Sequence, residues 1–185
     1  MNTPALKFAL RFALGFAVLM GLFEASRGTS FESFIVEKLI LGPTTTLINT
    51  LAPEEHVSLV GRTIVSPDGA NLRVTRGCEG VELFLLLVAA ILAFPTSAKR
   101  MAQGLLLGSI LAYILSVTRL MALHHVLRHE PNLWESLHGI VLPLGPVLVL
   151  SLYFLHWSST DPHLGKGLAL HPIAPRPSAL DSRHV

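Results

Sequence analysis

The chain carries a single cysteine, Cys78, set in Arg76-Gly77-Cys78-Glu79-Gly80, where a polar segment meets an apolar one. Arg119 follows a later apolar run, and His138 opens the next one in Trp134-Glu135-Ser136-Leu137-His138-Gly139. A thiol, a guanidinium and an imidazole are the parts needed for acyl transfer. The thiolate attacks a carbonyl, a cation steadies the oxyanion, and an imidazole that titrates near neutrality moves the proton. The sequence places Cys78 at a helix N-terminus, where backbone N–H groups favour a thiolate, as would Arg76 or Arg119 nearby. Glu79 and Glu82 oppose this unless they pair with arginine. Gly77 and Gly80 leave room for a substrate backbone. The bland account of the same residues is a buried structural thiol, an interfacial histidine beside an aromatic belt, and an arginine that anchors a helix end.

Whether the three can meet depends on the apolar segments that carry them. Of 185 residues, 51% are hydrophobic and 14% are charged, well below the roughly 25% charged of a soluble domain. The apolar residues come in long runs, as lipid as solvent would select. A net charge of +2, spread along the chain, argues against a nucleic-acid partner. One cysteine rules out an internal disulfide and any Cys-pair metal site.

The fold expected is an all-α polytopic membrane protein with about four transmembrane helices, an interfacial helix and a small extracytoplasmic β-hairpin. The spans are placed at Ala5 to Phe23, Glu79 to Phe94, Met101 to Val117 and Leu137 to Trp157. Phe31 to Leu51 reads as an interfacial or partly embedded helix broken near Gly42-Pro43, interrupted by Glu32, Glu37, Lys38 and Asn49, with a fifth span as the alternative. His56 to Val65 and Ala70 to Thr75 read as two strands around Ser66-Pro67-Asp68-Gly69, a hairpin outside the bilayer. Gly104, Gly108, Ser109 and Ala112 form a small-residue face suited to close helix packing. Arg119 to Glu135 reads as a polar loop. Residues 1–157 thus form one membrane-embedded domain, and 158–185 a disordered, proline-rich cytoplasmic tail.

With four spans, Cys78 begins span two, Arg119 ends span three and His138 begins span four, so all three share one membrane face. The 14 Lys and Arg residues divide evenly between the two sides. The short Lys99-Arg100 loop and the Lys7 flank favour a cytoplasmic N-terminus, with the three residues outside. In the loop, His125 and His129 are four apart, a helical ligand spacing, but the sequence supplies no third ligand. His124, His125 and His129 are therefore expected to be solvated loop histidines, with no metal or cofactor; the alternative is a metal- or haem-binding protein that uses them.

Arg-Gly-Cys-Glu-Gly around Cys78, Ser-Val-Thr-Arg-Leu around Arg119 and Leu-His-Gly around His138 together resemble the exosortase/archaeosortase family of membrane proteins. The likeness covers roughly Phe31 to Trp157. Ser116 and Thr118 stand where the family often has Asn, and the chain lacks the extra N-terminal spans of larger members. The resemblance implies a bacterial inner-membrane cysteine transpeptidase or endopeptidase with its active site on the periplasmic side. Its substrates would be membrane-anchored exported proteins with C-terminal sorting tails of the PEP-CTERM kind. In that role Cys78 is the nucleophile, Arg119 the oxyanion stabiliser and His138 the general acid/base, with a thioester passed to water or an acceptor. The alternative reading is a non-enzymatic membrane assembly or scaffold protein in which Cys78 is packing and Arg119 an anchor.

Overall fold

The computed structural model describes residues 4–75 and 77–160; the expected disordered tail lies outside the described residues beyond Thr160. The chain is mostly helical. Helix α1 spans Pro4–Ala25. Helix α2, residues 30–51, runs unbroken through a π-helical stretch at Phe34–Leu41. Three short strands follow: β1 Ser58–Val60, β2 Thr63–Val65 and β3 Leu72–Arg73. Helices α3 (Val81–Ala93), α4 (Ala98–His129) and α5 (Pro131–Ser159) complete the described residues.

Among the described residues, three helices are long and apolar enough to cross a membrane: α1, α4 and α5. The expected span from Glu79 to Phe94 is shorter than drawn. With 13 residues, α3 is about 20 Å long against a hydrocarbon core of about 30 Å. Both ends have local causes. Gly80 takes a left-handed conformation (φ 81°) just before the helix, and Phe94 is extended, as the residue before a proline tends to be. Helix α3 nonetheless packs along α1 and against α4 and α5. Gly104 and Gly108 on α4 allow this closeness. A Cβ at Gly104 would lie 2.6 Å from the Trp157 ring, and one at Gly108 would lie 2.8 Å from Leu87. Leu14, Leu22, Leu106, Leu148 and Leu155 stay exposed on the outer faces, a surface that a bilayer accepts and water does not.

The break expected near Gly42-Pro43 is absent. Pro43 lacks an N–H and its ring crowds the preceding turn. The chain accommodates this by widening, and Gly42 N–H bonds to the carbonyl of Glu37, five residues back. The same device recurs before Pro143, where Leu142 N–H bonds to the Leu137 carbonyl after a π-helical turn at Leu137–Val141. That turn contains His138.

The expected two-stranded hairpin is part of a three-stranded antiparallel sheet in the order β1-β2-β3. The run from His56 to Val65 forms two strands rather than one. Gly61, at φ 57°, reverses the chain beside Arg62, so Val60 pairs with Thr63. Asn49 then ties α2 to the sheet, its amide exchanging two 2.8 Å hydrogen bonds with the backbone of Val57. Ile64, Leu72, Val74 and Cys78 share one core with Val36, Leu41, Leu120 and Leu123. A second core, around Leu87, Ile91, Ala112, Leu150 and Trp157, lies farther along the helices.

The polar loop expected from Arg119 to Glu135 is also absent, since α4 continues to His129. Leu120, Leu123 and His124 fall on one helical face and are buried, and the charges find partners from the sheet and its flanks. Arg128 pairs with Asp68 at 2.9 Å, and His124 is held by Glu55 and Ser66.

Glu32 shows how the sheet is held to α2. It accepts from Gly28 N–H at 2.7 Å and pairs with Arg62 at 2.7 Å. The Arg62 bond, then the Gly28 bond, hold its carboxyl below the usual range. A depressed carboxyl stabilises the fold above its unfolded pKa, and that stability is lost as pH falls through the folded value. Glu32→Gln should therefore cost roughly 1–2 kcal/mol at neutral pH. The gap to the wild type should close on acidification. Thermal unfolding of both proteins across the acid range checks this, and a gap independent of pH would contradict it.

Candidate active site

Cys78 sits in a turn three residues before α3 rather than at the first residue of the helix. Its N–H bonds to the Thr75 carbonyl at 3.1 Å. Gly77 and Gly80 both adopt positive φ, 78° and 81°, which lets the chain coil tightly around the thiol. The two glycines differ in surroundings. A Cβ on Gly77 would meet Glu82 at an ordinary 3.5 Å, whereas one on Gly80 would collide with the Ser116 hydroxyl of α4. Gly80→Ala is therefore expected to destabilise the protein by about 2–4 kcal/mol, the sum of left-handed strain and overpacking. Gly77→Ala should show only the strain, about 1–2 kcal/mol. Equal losses in detergent-solubilised unfolding would refute the close α3–α4 approach.

The structure brings all three sequence-derived residues to this turn. Cys78 Sγ lies 3.9 Å from His138 Nε2, within thiol–imidazole hydrogen-bond range, and 3.9 Å from the Thr75 hydroxyl. Arg119 is buried and donates from Nη1 to the Gly77 carbonyl at 3.2 Å. Its Nε, also buried, has no hydrogen-bond partner among the described residues. An unpaired buried donor ordinarily costs about 1–3 kcal/mol.

Two further residues belong to the site. Trp134, four residues before His138, lies with its ring centre 4.8 Å from the imidazole and fixes that side. The i, i+4 spacing was the available signal for this pair. Glu79 is buried, accepts from Gly77 N–H at 3.0 Å and faces Arg62 at 3.6 Å. Burial pushes its carboxyl up and Glu82 adds repulsion, while Arg62 and the Gly77 N–H act the other way. The negative charge feared beside the thiol is thus engaged by Arg62. Arg76 lies outside the described residues.

An apolar groove of about 500 Å³ runs between α1, α2, α3 and α4, lined by Leu22, Phe31, Leu39, Phe84 and Tyr113. It reaches Gly80 and Ser116, so it ends close in sequence to Cys78.

Compared with protein-family models, curated proteins and solved structures, the chain matches none of them. The class that the fold defines is, among the described residues, a multi-helix chain with three candidate membrane-crossing helices and a small three-stranded sheet. Within it, a Cys–His pair and a buried arginine share one turn.

Proposed function

We propose that this protein is a membrane cysteine transpeptidase or endopeptidase of the exosortase type. It would act on C-terminal sorting tails of exported, membrane-anchored proteins at the periplasmic face of a bacterial inner membrane. The observation that carries the reading is the 3.9 Å approach of Cys78 Sγ to His138 Nε2 in a turn whose carbonyl is bound by Arg119. These residues come from three separate elements, and a purely structural thiol needs neither partner.

In this reading His138 Nε2 takes the proton of Cys78, and the sulfur adds to the scissile carbonyl carbon. The carbonyl π electrons move to oxygen, where the unpaired Nε–H of Arg119 is a donor suited to the resulting oxyanion. Collapse of the tetrahedral adduct breaks the C–N bond, and the imidazolium gives its proton to the departing amine. A thioester on Cys78 remains, and water or an acceptor amine resolves it. The apolar groove supports a tailed substrate. A hydrophobic segment lying in it would bring its polar flank toward Gly80 and the neighbouring thiol.

The direct test is co-expression with a tagged protein bearing a short motif, a hydrophobic span and a basic end. Mass spectrometry of the product should show loss of the tail and define the new C-terminus, separating hydrolysis from transfer. Tails that stay intact across several substrates, with the protein folded in the membrane, would favour a non-enzymatic assembly role.

A further inference from the structure

The third ligand absent from the sequence is supplied by the fold. Glu55, in a short turn after α2, is buried against α4 and meets His125 and His129 there. One ligand atom from each of Glu55, His125 and His129 lies within 4.8 Å of the others. Glu55 Oε1 and His129 Nε2 are 3.3 Å apart. A tetrahedral zinc with bonds of about 2.0–2.1 Å has ligand–ligand edges of about 3.4 Å, so this edge is already at metal-binding length. The two imidazoles stand side by side, ring centres 4.6 Å apart, on exposed positions where small rotations close the remaining edges.

The geometry points to a divalent metal site formed by Glu55, His125 and His129, taking Zn²⁺ or a similar borderline cation. Two imidazoles and one carboxylate are the donor set this class of ion prefers. The other oxygen of Glu55, Oε2, faces His124 Nδ1 at 3.1 Å, and His124 Nε2 meets the Ser66 hydroxyl at 2.9 Å. Oε2 is buried without a hydrogen-bond partner among the described residues, and Oε1 lies toward the exposed His129. Arg128 Nη1, 3.5 Å from Oε2, opposes an ion, and Asp68 draws its Nε away at 2.9 Å. A cavity of about 600 Å³ touches Glu55 and His125, giving a route in and space for a fourth ligand. The site is independent of Cys78 and stands whether or not the protein is a peptidase.

The test uses the full chain purified through a tag other than polyhistidine, in detergent, treated with chelator and dialysed. Co²⁺ is titrated while its visible ligand-field band is followed, and Zn²⁺ binding is measured by calorimetry. One equivalent should bind, with the band intensity of a four-coordinate ion. His125→Ala and His129→Ala should each weaken binding about 100-fold or more. His138→Ala should leave it unchanged. His163, His171 and His184 remain in every variant, so metal held by them would survive these substitutions. Circular dichroism confirms that each variant is folded, and His129→Gln serves if His129→Ala is not. Binding that is absent in the wild type, or undiminished in both histidine variants, overturns the proposal. In that case Glu55 and His129 form only a salt link.

Discussion

Cys78→Ala should abolish removal of the substrate tail while leaving the protein folded in the membrane. The substitution deletes one sulfur from a small buried site whose other contacts are weak, so its cost to stability should be about 1 kcal/mol. Its cost to chemistry is of another order. Without a nucleophile no thioester forms, and the rate should fall by at least about 10⁴-fold. The separation between these two effects makes the experiment decisive. Wild-type enzyme supplied with hydroxylamine should release product ending in a hydroxamate, the mark of a captured thioester. The Cys78→Ala enzyme should release none. Tail removal that continues at the wild-type rate in Cys78→Ala would end the peptidase reading and leave Cys78 as packing.

Arg119→Lys should lower the processing rate by about 10²–10³-fold with little loss of thermal stability, the loss expected for removing one oxyanion donor. Lysine keeps a charge that can reach the Gly77 carbonyl, now bound by Arg119 Nη1 at 3.2 Å. It has no second nitrogen in the position of Nε, the buried donor without a partner. A positioning role and a catalytic role therefore diverge in this one variant. If arginine only holds the Cys78 turn, lysine should preserve both rate and melting temperature. If it meets the oxyanion, the rate falls and the melting temperature stays. The measurement pairs single-turnover cleavage with detergent-phase melting of the same preparation. Arg119→Ala is less informative, because it also frees the Gly77 carbonyl and loosens the turn.

The convergence of Cys78, Arg119 and His138 was readable from the sequence, and the reason lies in chain geometry. Apolar runs that cross a bundle must alternate direction, so residues at alternate ends of successive runs gather on one side. Cys78, Arg119 and His138 occupy such ends. Their convergence survives even though α3 is too short to span and α4 runs on past Arg119. The small-residue face at Gly104 and Gly108 was legible for a similar reason, since helical period alone puts them together.

Other features had no local signature. His124, His125 and His129 look like a loop because the stretch is polar. They are helical because Glu55, 74 residues before His129, and Asp68 pair with the charges that would otherwise favour water. Pro43 reads as a helix breaker, and only packing on both sides makes a π turn cheaper than a break. The run from His56 to Val65 splits at Gly61 because the third strand and Asn49 give both halves partners. The sequence by itself determined the helical, lipid-compatible class, the small-residue seam and the convergence of the thiol, guanidinium and imidazole. These depend on periodicity and chain direction, which are local. The tertiary structure alone decided the span lengths, the orientation of Arg119 against Gly77 and the meeting of Glu55 with two histidines. Those rest on pairings between distant residues, whose energies exceed the local preferences that a sequence displays.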